Sequence, residues 1–469
     1  MAFWLIGHIA DPLLRKLAWK KLKGIFVSKF WPQLVYDDIF ASDKNYYRAT
    51  AANKPCPRLE TDKSYDIVIV GGGLSGLATA KHLLNVGIKN IAIIERHFVG
   101  WGASGRNGGE ILPGFTAPVT RMARRYGLEF TKSMWDLSTK GVADVVKTIN
   151  ELDIDCDLRP GYVLAMEPEG YNQKSVESEL DILEKIGHAK TFKSSQQTCA
   201  MLGCKDGYYK AGLHYTDAFH FHPLKYLYGL KDYLLKQGVS IYEETPCIHF
   251  ENENDGLNIL TPKGNLRARK LVLCGDSYLG TLVPHLRRKY VLIRNAMIAT
   301  EPLPDTDNIL PSGVCVSENK GKLMYYRKTA DNRLIIGGGD TIRPNNDPKD
   351  TRKHIVELCQ NSIADIFPQI AGIPISYVWG GYIGITSNYL PYAGSKDGKI
   401  YYMGGYSGHG VNQTHIWSAL IANAIKNENL KTASPIDRLS HLPMPGLGDY
   451  DNYLAQLGML AESVMEKFD

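Results

Sequence analysis

No run of 18 or more apolar residues occurs in this chain, so nothing in it reads as a transmembrane helix. A CxxC pair is missing too. The eight cysteines, Cys56, Cys156, Cys199, Cys204, Cys247, Cys274, Cys315 and Cys359, are scattered, as expected of reduced thiols in a cytoplasmic-type compartment. Cys199 and Cys204 lack the second pair that a zinc site would need, and His220 and His222 in FHFHP stand apart from acids and cysteines. Both histidines are read as structural, and no metal site is expected. No internal repeat or low-complexity tract stands out. Basic excess is confined to one end: residues 1–35 carry Arg15, Lys16, Lys20, Lys21, Lys23 and Lys29 against Asp11 alone, which accounts for the whole net charge of +5. A main body without basic excess or a recognition motif argues against nucleic acid as a partner.

At 469 residues, 44% hydrophobic and 22% charged, the chain has ample material for a buried core. It is too long for one compact core and suggests two domains, intertwined or consecutive, plus additions. Within residues 1–45, Asp11 and Pro12 make a good helix start. Leu13, Leu14, Leu17, Ala18, Leu22, Ile25 and Phe26 then recur at helical spacing, with most of the basic residues opposite. A basic amphipathic helix is expected, and Trp4, Trp19 and Trp31 add aromatic bulk suited to a membrane interface. Three roles are open for it: docking on the protein itself or a second subunit, peripheral membrane contact, and targeting. A secretory leader is disfavoured, because the apolar stretch Ala2–Ala10 precedes the charges. Residues 36–63, polar and holding Pro55 and Pro57, read as an extended arm.

The densest information lies between Tyr65 and Gly109. Tyr65–Val70 reads as a buried parallel strand. It runs into Gly71, Gly73 and Gly76, the GxGxxG spacing, and then into a helix predicted over Leu74–Asn85. Such glycines permit a tight turn, close approach to a pyrophosphate and close helix packing, while Leu74 and Ser75 open a helix whose positive end faces the phosphates. A second strand, Ile91–Ile94, ends in Glu95, 19 residues beyond the last glycine, about where a ribose-binding acid is expected. Arg96 follows it. A dinucleotide is thereby implied, with a free ribose hydroxyl favoured over a 2′-phosphate.

A second loop, HFVGWGASGRNGGE, places Gly100, Gly102, Gly105, Gly108 and Gly109 within ten residues. Something flat must approach this backbone closely, and a nicotinamide site does not call for such a loop. Further along, Lys270–Cys274 reads as a strand running into Gly275 and Asp276, a third approach of sheet and glycine to the dinucleotide. Val239–Glu243 and Cys247–Phe250 read as strands, and Lys399–Met403 as another that ends in Gly404, Gly405, Gly408 and Gly410 before a helix over 411–425. That helix end would aim backbone donors at the electron-rich edge of a flavin.

With NYYRATA at Asn45, GWGASGRNGG at Gly100, DIDCDLRPG at Asp153, FHFHPLKYLYGL at Phe219, MYYRKTADNRLIIGGG at Met324 and YYMGGYSGHGV at Tyr401, the chain resembles the D-amino-acid-oxidase-like FAD-dependent oxidoreductases. The resemblance runs from about Asn45 to the mid-440s. It implies a Rossmann-type FAD-binding domain of 60–113, 212–288 and 377–430, interleaved with a substrate domain of 114–211 and 289–376 built on a mostly antiparallel sheet, and a tail of 431–469. Ala103, Ser104, Arg106, Asn107 and Gly108, with Gly102, would line the pyrophosphate and flavin ring. The turn at Cys247 would sit near the adenine, and Gly405, Ser407, Gly408, His409, Gly410 and Val411 near the flavin edge. A family acid before the proline of WGGYIGITSNYLP is Asn388 here, which leaves any role of that carboxylate in doubt.

On the substrate side, Tyr325, Tyr326 and Arg327 are the candidates, the guanidinium to clamp a carboxylate and tyrosines to box an alkyl amine. Strand alternation lets only one of the two tyrosines face the site; Tyr326, Arg327 and His409 are carried forward as catalytic candidates. The alternative is that Arg327 pairs with an internal acid and the tyrosines pack in the core. The expected reaction is oxidation of an amine, a gamma-glutamylated or otherwise acylated polyamine: hydride transfer to the flavin, imine hydrolysis, and reoxidation of the flavin by oxygen to give peroxide. Two other readings stand beside it, an amino-acid or N-methyl-amine dehydrogenase serving a quinone or carrier, and a non-catalytic flavoprotein subunit.

Overall fold

A computed structural model describes residues 45–428 except 170, 280–281, 305–307, 320–323 and 339–347, together with 439 and 441. The expected amphipathic helix and nearly all of the tail 431–469 lie outside the described residues. A short helix α1 (Tyr46–Thr50) replaces the first described turn of the expected arm. It forms because the Asn45 side chain accepts from the N–H groups of Tyr47 and Arg48, a helix cap.

The βαβ start agrees with its sequence signature: β1 (Lys63–Val70), α2 (Leu74–Asn85) and β2 (Ile91–Ile94). There follow β3 (Glu110–Ile111), the long helix α3 (Leu128–Glu151), β4 (Arg159–Met166), α4 (Gln173–Lys185), β5 (Thr191–Ser194), β6 (Ala211–His220), α5 (Pro223–Lys236) and β7 (Ser240–Tyr242). A hairpin of β8 (His249–Glu253) and β9 (Gly256–Leu260) leads to β10 (Asn265–Leu273) and β11 (Tyr290–Thr300). The remainder is β12 (Cys315–Glu318), β13 (Met324–Lys328), β14 (Leu334–Gly338), α6 (Pro348–Ile366), β15 (Ile375–Thr386), β16 (Tyr392–Lys396), β17 (Ile400–Gly404) and α7 (Gly410–Asn427).

Among the described residues these strands make two sheets. The first has the order β16-β17-β10-β1-β2-β7, with β9 on β10 and β8 on β9. Its members β17, β10, β1, β2 and β7 run parallel. Parallel strands covered on both faces need continuous apolar runs, and Val68, Ile69, Ala92 and Ile93 are indeed fully buried. The second sheet, β15-β11-β14-β13-β12-β4-β6-β3 with β5 on β6, is antiparallel except where β12 pairs with β4. The expected segment boundaries shift by a strand at two places. β6 pairs with β4, and β15 runs antiparallel along β11, so 212–220 and 377–386 belong to the second sheet; their long ladders hold them there until the chain reaches the cofactor side.

All five parallel strands end on one edge, which gathers Gly71, Glu95, Glu243, Gly275 and Gly405. Ligands of open α/β sheets bind at that edge. Beneath it α7 lies against α2, where Thr79 Oγ1 donates to Ser418 Oγ and Ser418 Oγ to Ser75 O, each at 3.0 Å.

Candidate active site between the two sheets

The first glycine turn is shaped by what it leaves no room for. A Cβ on Gly76 would collide with the carbonyl oxygen of Gly71, so the helix can start this close to the strand only with glycine there. The second loop is fastened onto it: Leu74 N–H donates to Ser104 Oγ at 3.0 Å. Glu95 braces the turn from the other side, accepting from Gly72 N–H at 2.7 Å and from His97 N–H at 2.9 Å. Burial pushes its carboxyl up, while those two N–H groups pull it back. Arg96 beside it is exposed. The third and fourth strand ends are tied by Asp276, whose Oδ1 accepts from Gly405 N–H at 2.6 Å.

These residues fit a bound dinucleotide on grounds the molecule itself supplies. Neither Gly73 at α2 nor His409 at α7 caps its helix with its own side chain, so apart from the Leu74 N–H held by Ser104 these positive helix ends can meet a ligand. Gly408 has nothing within 3.8 Å of where a Cβ would stand. Gln413, in the first turn of α7, is fully buried with neither amide atom partnered among the described residues, an arrangement that calls for a ligand or water. Ser407, at φ 53°, is held by Thr116 Oγ1 donating to its carbonyl at 2.8 Å.

The second loop keeps its form through its own polar side chains. Asn107 Nδ2 donates to Ala103 O and Ser104 O, and its Oδ1 accepts from Gly109 N–H. Arg106 donates to Trp101 O at 2.6 Å and Gly380 O at 3.0 Å, and Trp379 Nε1 donates back to Arg106 O. Its guanidinium therefore joins the loop to β15. The Cys247 thiol is buried, bonded weakly to His249 O, and pushed up to about 12 by burial; it packs with the core beside the expected adenine end. Val411 is buried in the first turn of α7.

The second sheet roofs this edge, and alternation along β13 decides which side chains look down. Tyr325 and Arg327 face the glycine loop: the Tyr325 ring would lie 3.1 Å from a Cβ on Gly108, and Arg327 Nε donates to Gly108 O at 2.6 Å. Tyr326 is turned the other way. It is 1% exposed, bonded to Tyr209 at 2.7 Å and packed edge-on against Phe367, so the strand carries it away from the cleft, and Tyr325 takes its place as the tyrosine beside the loop. Arg327 Nη2 donates to the Tyr47 hydroxyl at 3.0 Å. His409 Nε2 is 3.0 Å from Leu112 O, which fixes that nitrogen as the donor; burial lowers its pKa. The ring is thus a tie between α7 and the segment after β3. As read from sequence, His220 and His222 are structural: His220 bonds Gly313 O, and His222 caps α5 by accepting from Lys225 N–H while bonding Thr50.

Three residues escaped the sequence reading. Tyr47, fully buried, packs on Trp379 and His222 and receives Arg327. Asn45 Nδ2 donates to Gly105 O. Glu110, next after Gly109, is partly buried against β12, where Ser317 Oγ lies 3.4 Å from its Oε2. Only its place directly behind a glycine run marked it. Burial pushes its carboxyl up to about 8, against the pull of Arg327 and Ser317.

A protein-family model described as FAD dependent oxidoreductase, DAO, matches residues 66–424. The chain belongs to this family. As a member it is an FAD-dependent oxidoreductase of the kind that acts on C–N bonds in amines or amino acids. It is 31% identical over 415 residues to gamma-glutamylputrescine oxidoreductase of Escherichia coli (strain K12), covering 85% of this chain and 93% of that one. Glycine oxidase of Bacillus subtilis (strain 168) is 21% identical over 378 residues, 78% of this chain and 95% of that protein. Among solved structures, L-proline dehydrogenase from P. horikoshii aligns with a TM-score of 0.66 at 19% identity, over 81% of this chain and 96% of that chain. L-Amino acid deaminase from Proteus myxofaciens aligns at 0.67 and 15%, over 83% and 97%. Both share the fold. No helix among the described residues is long and apolar enough to cross a membrane.

Proposed function

We propose that this family member oxidises the primary amine end of an acylated diamine, for which gamma-glutamylputrescine is the model, with oxygen as the final acceptor and an aldehyde, ammonia and hydrogen peroxide as products. FAD, when bound, supplies the two-electron acceptor for the hydrogen on the carbon beside nitrogen. Gly71, Gly73 and Gly76 with the N-terminus of α2 would cradle its pyrophosphate, Glu95 its ribose, and residues 102–108 with 405–411 its ring. The protein's part is to orient the amine carbon and exclude water.

The observation that carries the choice of amine over amino acid is the engagement of Arg327. Arg327 Nε and Nη2 already hold Gly108 O and Tyr47, and Arg106 Nε and Nη1 hold Trp101 O and Gly380 O, so each guanidinium is built into the protein's own framework. Neither arginine is therefore free to turn its whole fork toward a carboxylate on the reacting carbon, as a bidentate clamp for an α-amino acid would need. The identity with the E. coli gamma-glutamylputrescine oxidoreductase supports the particular amine.

Mixing the yellow protein anaerobically with gamma-glutamylputrescine should bleach it, and admitting air should restore the colour and release peroxide. Bleaching without oxygen uptake would move the reading to a dehydrogenase serving a quinone or carrier. Failure of every amine and amino acid to bleach it would end the catalytic reading.

A further inference from the structure

We infer that Glu110 receives the substrate's ammonium group and accepts its proton, leaving a neutral amine over the second glycine loop. This rests on the amine reading above. Its first support is position. A Cβ on Gly108 would stand 3.1 Å from the Tyr325 ring and 3.7 Å from Glu110 Cγ, so the acid and the tyrosine flank a loop glycine that the second sheet roofs. Glu110 is only partly buried, and it borders the loop at Gly108 beside Tyr325.

The groups around it come from several elements; on β6, the strand paired with its own, His220 is its direct cross-strand partner. From β12 these are Ser317, its hydrogen-bond partner, and Cys315; from β4 Tyr162; from β13 Tyr325 and Arg327; from α1 Tyr47. Arg327 is the cation among them, and it acts on Glu110 through space while its N–H groups serve Gly108 O and Tyr47. A carboxyl in such surroundings gains most by meeting a second cation that brings donors.

The chemistry follows from proton balance. An alkylammonium enters charged and has no lone pair, so its α-hydrogen cannot leave as hydride until one N–H proton is removed. Transfer to Glu110 breaks that N–H bond and forms a carboxyl O–H bond, giving a neutral amine and a neutral acid. Two charges are erased in a site that penalises charge. Raised to about 8 by burial, Glu110 is mostly protonated at pH 7 before substrate arrives; the entering cation displaces that proton to solvent, and the carboxylate so formed is a far better acceptor for the amine's N–H proton than an ordinary one. Glu110 would disfavour α-amino acids as well, since a second carboxylate beside it is a like-charge pair.

The test is Glu110→Gln and Glu110→Asp, each as flavin-loaded full chain with its melting temperature measured. In stopped-flow reduction by gamma-glutamylputrescine, the Gln variant should be slowed about 100-fold or more at pH 7 and recover roughly tenfold per pH unit as free neutral amine accumulates. The Asp variant, which keeps a carboxyl one methylene further back, should fall between. A second arm uses pentyltrimethylammonium, a cation with no proton to give. Calorimetry in buffers of different ionisation enthalpy should find proton release on binding to the wild type at pH 7 and none with the Gln variant. Wild-type rates and pH profile in both variants, or equal proton release, would overturn the assignment of Glu110. A wild type that no amine bleaches would instead sink the amine reading, while the calorimetric arm would still decide whether Glu110 meets a cation.

Discussion

Arg327 Nε donates to the carbonyl of Gly108 at 2.6 Å, a bond that spans 219 residues of chain and fastens the roof to the cofactor loop. Its Nη2 donates to the Tyr47 hydroxyl, so one residue, 3% exposed, fixes α1, β13 and the glycine loop together. Hydrogen bonds from a charged donor contribute about 1.5–3 kcal/mol each. Arg327→Ala should therefore cost about 3 kcal/mol or more and loosen the flavin. Arg327→Lys, a point charge without the fork, should recover only part. Thermal melting and flavin retained after gel filtration measure both; a yellow, wild-type-stable Ala variant would refute the tie.

The neighbouring tyrosines should separate cleanly in kinetics. Tyr326→Phe removes a hydroxyl that meets Tyr209 in the core, at a cost of about 1 kcal/mol and without change in KM. Tyr325→Phe frees Asn295, whose Oδ1 accepts from the Tyr325 hydroxyl at 3.0 Å, and should raise KM several-fold with little loss of stability. An altered KM in the Tyr326 variant with none in the Tyr325 variant would reverse the placement of the two rings.

How far these positions were legible depends on whether the signal was local. The strand, turn, helix and acid from Tyr65 to Glu95 lie within one βαβ unit, and α2 and β2 have the bounds expected of them. Alternation told that only one of Tyr325 and Tyr326 could face the loop, but not which, because that is set by pairing Ser317 with Tyr325 and Val316 with Tyr326. Sequence alone reads Arg327 as a clamp for a substrate carboxylate or the partner of an internal acid; the groups it bonds, Gly108 O and the Tyr47 hydroxyl, sit 219 and 280 residues away. Glu110 carries no motif. Its chemistry comes from strands β4, β12 and β13 folding over it, a relationship no spacing encodes.

The collision that a methyl on Gly76 would make with Gly71 O gives a prediction on cofactor binding. Gly76→Ala must push α2 away from β1, and both the turn and the helix end that would meet the pyrophosphate move with it. The variant should purify colourless or lose flavin on dilution. Glu95→Gln keeps the shape but replaces one acceptor for Gly72 and His97 N–H with a donor, and should weaken flavin binding roughly tenfold, about 1.4 kcal/mol. Fluorescence titration of flavin into apoprotein compares them. Wild-type affinity in Gly76→Ala would show that the turn tolerates what the geometry forbids.

Acid should unfold the protein through a charge network beneath the site. Asp144 receives Lys81 Nζ at 3.0 Å on Oδ1, and His415 Nδ1 at 2.7 Å and His82 Nε2 at 3.1 Å on Oδ2. The three residues His82, Asp144 and His415 have the closeness of a metal site, but the Lys81 ammonium already supplies the positive charge. Burial opposes the Asp144 charge, yet the bonds from His415 and His82 outweigh it and hold its carboxyl well below the usual range. Burial lowers His415, which stays neutral between Asp144 and the Tyr226 hydroxyl. The signs agree. A depressed histidine makes the unfolded chain take up more protons below about pH 6.5, and a depressed aspartate does the same below about pH 4. Stability should accordingly fall in two steps as pH drops. Asp144→Asn leaves Lys81 buried without its counter-charge and should cost about 3–5 kcal/mol at pH 7, while flattening the lower step. Melting temperatures across pH 3–8 would expose a network of no consequence if the variant followed the wild type throughout.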